Sequence, residues 1–354
     1  AKNAELSGKA GSIVGEFDSL NREIPQADSV FNPPVDGNDL VLTIDENIQF
    51  FCERELDKVM AGEHPPKGAS VIMMNPKTGE ILAMANRPAY DPNERQKYQS
   101  SDFRNFLVND AYEPGSTFKI ITSAVALEED VVTPESRFYD PGYKIVGSAK
   151  INCWRSYNPH GSQSFREVMQ NSCNPCFVET GLRIEEKEKG LFYKYIKAFG
   201  YGQPTGICLS GESAGLMIKE ENLLPVNIGT ISIGQGISVT PLQMVSAVSA
   251  VVNGGTLLKP QLIRQVKDKD GNIVQDFAPQ EVRRVISKET SKTVCSMLES
   301  VVTEGTAWRA YVPGYRVGGK TGTAQKPGKG GYLPDKYVVS FLGVVPMDDP
   351  QLVC

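Results

Sequence analysis

Three short clusters in this chain combine a nucleophile or a base with polar groups at spacings that chemistry can use. In Glu113-Pro114-Gly115-Ser116-Thr117-Phe118-Lys119, a proline and a glycine precede an apolar helical pattern, so Ser116 falls at the start of a helix. Backbone N–H groups are unpaired there and the helix dipole is positive, which favours a developing anion. Lys119 follows three residues later on the same face. A lysine partly desolvated beside a serine loses its proton more readily and can activate the hydroxyl. Alone, one Ser-x-x-Lys fits an ordinary surface helix better.

Ser172-Cys173-Asn174 follows a helical pattern and precedes Pro175, which places it on a turn between helices. In an extended turn, residues two apart project to one side. Ser172 can then relay a proton and Asn174 can hydrogen-bond a substrate amide, while Cys173 points elsewhere. The third cluster, Gly318-Gly319-Lys320-Thr321-Gly322-Thr323-Ala324, is rich in glycine in a strand-like context, which suits close approach of another backbone. An extended peptide can pair along it, with Lys320 and Thr321 meeting a terminal carboxylate. Gly314 and Gly319-Lys320-Thr321 also match the spacing of a phosphate loop. That loop needs a preceding strand and a following helix, and Pro313 and the Gln325-Lys326-Pro327-Gly328 segment oppose both.

Taken in order, Ser-x-x-Lys, Ser-x-Asn and Lys-Thr-Gly form the trio of β-lactamases and penicillin-binding proteins, and the sequence resembles class B penicillin-binding proteins, the transpeptidases of division, elongation and sporulation. The resemblance extends through Leu42-Thr43-Ile44-Asp45 with Ile48-Gln49, Asn75 to Met84, Thr205-Gly206-Ile207, Gly211-Glu212-Ser213 and Ile233 to Gly236 with Thr240 to Gln243. Cys208 stands where the family usually has an acidic residue. The resemblance implies catalytic roles for Ser116, Lys119 and Ser172, and substrate binding by Asn174, Lys320, Thr321, Gly322 and Thr323. The backbone N–H groups of Ser116 and Thr323 would form an oxyanion hole. It further implies a peptidoglycan D,D-transpeptidase inhibited by β-lactams, needing no cofactor for catalysis. Its partners would be stem peptides, a membrane glycosyltransferase and cell-wall assembly proteins. A serine β-lactamase or β-lactam sensor shares the trio, and a non-catalytic assembly scaffold is a further alternative that the intact motifs oppose.

A second cluster lies outside the trio. Cys153, His160, Cys173 and Cys176 fall in one segment of a chain that has only seven cysteines and two histidines. Thiolate and imidazole suit tetrahedral zinc, and a carboxylate can complete the shell. The expected ligands are Asp140, Cys153, His160 and Cys176, with Cys173 as the substitute for Asp140 or Cys176. Such a zinc would be structural. Buried thiols and a Cys153–Cys176 disulfide are the competing expectations.

The elements that must hold these groups are read from pattern. Leu40 to Ile44 reads as a strand, followed by a helix through Ile48 to Leu56 with Asp45 as its cap. Ala69 to Asn75 and Glu80 to Ala85 form a hairpin, Tyr143 to Cys153 another, and Lys336 to Val345 a strand preceded by a Gly-rich loop at 326–331. Between them lie helical patterns at Ser116 to Glu128, Phe165 to Gln170 and Gln243 to Val252. Strands at both ends with helices between predict an α+β fold, an antiparallel sheet flanked by helices. The family resemblance makes this the penicillin-recognising, β-lactamase-like fold, with residues 1–38 the remnant of a pedestal domain and 39–354 the transpeptidase domain.

Composition excludes several classes. With 40% hydrophobic and 22% charged residues, neither disorder nor a fibrous repeat is expected. A net charge of −5 and scattered basic residues disfavour nucleic-acid binding. No stretch approaches the roughly 20 apolar residues that span a bilayer. The chain opens at Ala1 and stops within Gln351-Leu352-Val353-Cys354. Both ends look cut from a longer protein, and the family resemblance implies one on the extracytoplasmic face of the membrane, anchored by a preceding segment, with a final strand and helix following Cys354.

Overall fold

Asp45 has extended backbone, and its carboxylate accepts the Ile48 N–H at 3.0 Å. This cap starts helix α1 (Glu46–Met60) where the sequence predicts it. The computed structural model describes residues 2–20, 22, 24, 29–328 and 331–354. Strand β1 (Ala69–Met74) pairs antiparallel with β2 (Ile81–Arg87), the expected hairpin. Alternation along β1 divides two cores, and a register irregularity at Met73/Met74 switches the face between Ile81 and Ala83 on β2. Ile72, Met74 and Ile81 face the main core, whereas Ala83 and Ala85 join Cys52 and Leu56 of α1 in a smaller one.

The chain then enters a helical region. A single 3₁₀ turn, Gly115–Phe118, leads directly into α2 (Lys119–Glu128), whose first eight residues are all buried. Two short ladders, Arg137–Asp140 with Gly161–Ser164 and Tyr143–Val146 with Ala149–Asn152, precede α3 (Phe165–Gln170). A capping box between Ser164 and Glu167 starts α3. After the Ser172 turn comes α4 (Asn174–Lys187), with Pro175 in its first turn. Helix α5 (Pro241–Val252) is buried from Leu242 to Val252 and runs through the main core, and α6 (Lys288–Thr303) packs beside it.

Strands β3 (Gly318–Gly328) and β4 (Gly331–Val345) form a long antiparallel pair, and β5 (Leu352–Val353) joins β4 to β1. The five-stranded order is β3-β4-β5-β1-β2, with helices on its faces, so the α+β expectation holds. One detail differs. The Gly-rich segment expected to be a loop is mostly strand, β3 running to Gly328 and β4 starting at Gly331, while Lys329 and Gly330 lie outside the described residues. A register irregularity between Gln325 and Pro327 accommodates the proline, which cannot donate to a ladder. Before Asp39, Ser12–Val14 pairs with Val30–Asn32, and no described residue up to Asn38 is buried.

Candidate active site

The Ser116 turn is positioned by close backbone packing. Gly115 has φ +55°, and a Cβ there would lie 2.8 Å from the Thr323 carbonyl oxygen. Gly234 has φ +78°, and its Cβ would fall 2.0 Å from the Gly115 carbonyl oxygen. Neither contact admits a side chain. The Gly115 N–H donates to the Gly234 carbonyl at 2.9 Å. The turn is thus pressed between β3 and the Gly234–Gly236 loop, which brings Ser116 beside Thr323 although 207 positions separate them in the sequence. Ser116 itself is half-buried, and among the described residues its hydroxyl has no protein hydrogen-bond partner.

Lys119 is fully buried, and its Nζ reaches the Ser172 carbonyl at 2.8 Å, the Ser172 Oγ at 3.1 Å and the Asn174 Oδ1 at 2.6 Å, with the Phe177 ring beneath at 5.2 Å. Burial lowers its pKa to about 7, against which nearby cysteine charge acts only weakly. A neutral amine has two N–H donors and one lone pair. The Ser172 carbonyl and Asn174 Oδ1 take the two protons, which leaves the lone pair for a hydroxyl. Relative to an exposed lysine, the shift corresponds to about 5 kcal/mol against the charged form.

Ser172 and Asn174 converge as predicted, but for a different reason. The turn is not extended: Ser172 has φ +53°, with its N–H bonded to Met169 O and the Cys173 N–H to Val168 O. This left-handed residue closes α3 and turns both neighbours of Cys173 toward Lys119. Asn174 also donates from Nδ2 to the Asn152 carbonyl at 3.3 Å, so part of its hydrogen-bonding capacity is already engaged.

On β3, Lys320 is fully buried and donates to the Thr321 carbonyl at 3.1 Å. Burial, reinforced by Lys119, drives its pKa well down. Burial thus disfavours the charged form of both lysines in the cleft, and an arriving carboxylate is the complementary group that would favour it. Thr321 is half-buried, Gly322 buried and Thr323 exposed, alternating along the strand edge.

Three of the four residues expected to bind zinc come together, with Cys173 in the place of Cys176. Asp140, Cys153, His160 and Cys173 place one ligand atom each within 4.8 Å of one another. Cys176 is not in this set; its Sγ lies 3.4 Å from Cys173 Sγ and 3.6 Å from Gln163 Nε2. The helical geometry of α4 explains the correction, since Cys176 lies one turn inside the helix while Cys173 caps it. All seven cysteines are free, so the Cys153–Cys176 disulfide is absent. His160 Nδ1 lies 2.8 Å from Asp140 Oδ2 and 3.5 Å from Cys153 Sγ, and its buried Nε2 has no partner among the described residues. Burial raises the Asp140 carboxyl, but hydrogen bonds from Cys153, His160 and the Gly142 and His160 amides outweigh it and hold the group at about 2. Cys173, burial and Asp140 together push the Cys153 thiol up.

One group that sequence reasoning missed is Glu113, buried and three residues before the nucleophile, which accepts from the Gly236 N–H and the Tyr332 hydroxyl. Its acidic type next to Pro114 was the available signal; its partners lie 123 and 219 positions away.

A helix-start serine, a buried amine with a free lone pair and a lysine-bearing strand edge make a site suited to serine acyl transfer. Residues 69–354 match the penicillin binding protein transpeptidase domain, and the chain belongs to that family. It is 49% identical over 99% of its length to stage V sporulation protein D of Bacillus subtilis, covering 54% of that protein. It is 32% identical over 99% of its length to penicillin-binding protein PbpB of Mycobacterium tuberculosis, covering 52%. The chain spans about half the length of these curated relatives. Its fold superposes on penicillin binding protein 3 of Mycobacterium tuberculosis complexed with ampicillin, with TM-score 0.85, 30% identity and coverage of 96% of this chain and 78% of that one. Penicillin binding protein 2X of Streptococcus thermophilus gives TM-score 0.86 at 28% identity, with 99% and 53% covered.

Proposed function

We propose that this chain is the catalytic domain of a peptidoglycan D,D-transpeptidase. The observation that carries the proposal is the arrangement around Lys119: a buried amine whose two protons are taken by Ser172 and Asn174, beside Ser116 and opposite Lys320. Ser116 Oγ attacks the carbonyl carbon of the penultimate D-Ala of a stem peptide, and its proton passes to the Lys119 lone pair. Backbone N–H groups of Ser116 and Thr323 receive the oxyanion, while Lys320 and Thr321 hold the terminal carboxylate and Asn174 and Gly322 line the peptide. The proton moves through Ser172 to the leaving D-Ala nitrogen as the peptide bond breaks. An amine from a neighbouring stem then attacks the Ser116 ester, and the proton it releases returns to Ser116.

A β-lactam enters as a mimic of the donor and stays as a stable ester. The test is the rate of label loss from a penicillin-labelled chain. Persistence over hours supports a transpeptidase, whereas turnover within seconds would make the chain a β-lactamase. The sporulation name of the 49%-identical relative favours a role in spore wall synthesis, on the extracytoplasmic membrane face with a glycosyltransferase partner. No helix among the described residues is long and apolar enough to cross a membrane. The described residues of the 1–38 segment, none of them buried, fit the expected pedestal fragment.

We also propose that Asp140, Cys153, His160 and Cys173 hold a structural zinc. Zinc bonds of roughly 2.0–2.3 Å place tetrahedral ligand atoms about 3–4 Å apart, compatible with the observed cluster, in which His160 Nδ1 lies 2.8 Å from Asp140 Oδ2 and 3.5 Å from Cys153 Sγ. The ion would tie Cys173, between Ser172 and Asn174, to the two small ladders. Catalysis would not pass through it.

A further inference from the structure

Glu113 lies three residues before Ser116 and is buried, yet among the described residues it has no cationic partner. Its Oε1 accepts the Gly236 N–H at 2.9 Å, and the Tyr332 hydroxyl donates to Oε2 at 3.0 Å and to Oε1 at 3.3 Å. Tyr332 sits near the start of β4, opposite Pro327, well past the Lys320–Thr323 segment of β3. There the β3–β4 pair has left the five-stranded sheet, and residues 326–328 and 331–337 are exposed. An isolated pair of strands is marginal in water, so its position depends on what ties it down. The Glu113 carboxylate is such a tie, and it ends on the nucleophile turn itself.

We propose that Glu113 and Tyr332 are positioning residues for acylation: their hydrogen bonds hold the β3 edge, and with it the Thr323 N–H, at a fixed reach from Ser116. Burial and the Glu113 charge push the Tyr332 phenol up to about 12, so it remains a donor throughout the working range. The inference rests on the acyl-transfer reading above. The joint acts through β3 and touches no reacting atom. Its loss should therefore slow the bond-making step and leave the first encounter with ligand intact.

The experiment is rapid-mixing acylation of the full chain by a fluorescent penicillin over a range of concentrations, for wild type, Tyr332→Phe, Glu113→Gln and the double variant. Tyr332→Phe should lower the limiting acylation rate roughly ten- to a hundredfold, with the pre-covalent dissociation constant within about twofold and the thermal midpoint within about 3 °C of wild type. The double variant should lose less than the product of the two single losses, because both act through one joint. A Tyr332→Phe rate within about twofold of wild type overturns the proposal, as does a loss that appears wholly in the dissociation constant, multiplies fully in the double variant, or accompanies a larger fall in melting temperature. If wild type takes no label, the acyl-transfer reading fails first and this joint fails with it.

Discussion

The acyl-transfer cleft and the thiol cluster share one turn, Ser172-Cys173-Asn174, yet they are built in opposite ways. The cleft joins residues 116, 172 and 320 through glycine contacts between distant segments. The thiol cluster is local: its four members fall between residues 140 and 173, and two short ladders bring them together. Lys119 and Asn174 meet protein partners suited to them, whereas His160 Nε2 meets none among the described residues. A site assembled over long range keeps its motifs recognisable as words but hides its geometry. A site assembled locally reveals its proximity but leaves the choice of ligands open.

That contrast accounts for what was legible. Ser116, Lys119 and Lys320 could be chosen from residue type and order, and the helix and strand carrying them from periodicity. The Glu113–Tyr332 contact could not be read, because nothing local couples positions so far apart. For the thiols the segment does come together in space, but which of Cys173 and Cys176 faces Asp140, Cys153 and His160 depends on the turn at Ser172, whose φ of +53° composition does not specify. The same angle replaced the extended turn expected there. At 326–331, glycine and proline suggested a loop, and the continued pairing of β3 with β4 overrode them.

The largest expected effect separates the two regions. Lys119→Arg puts a permanent charge in the cleft and cannot offer a lone pair, so penicillin acylation should fall roughly 10²–10⁴-fold with zinc content unchanged; a wild-type rate would require another base. Next is the cluster. Cys173→Ser or His160→Ala should remove the bound zinc found by elemental analysis of protein purified without added metal. The thermal midpoint should fall on the order of 10 °C, and acylation should slow by about tenfold. Cys176→Ser should retain the metal, and its loss in that variant instead would restore the ligand set expected from sequence.

A smaller effect is the pH profile. Because burial lowers Lys119 to about 7, acylation should rise about tenfold per unit below that pH and level off above it. The same depressed pKa means that the unfolded chain binds the proton more readily between about 7 and 10.5. Stability should therefore increase with pH across that window, and Lys119→Met should flatten the rise. A profile still climbing from pH 8 to 10 would place the base elsewhere.

The central claim is that Ser116 is the acylated residue of a transpeptidase site. Incubation with penicillin, followed by intact mass and peptide mapping, tests it directly. The expected result is one adduct per chain, on the peptide containing Ser116 and absent from Ser116→Ala. An adduct on any other residue, or one that persists in Ser116→Ala, would contradict the account.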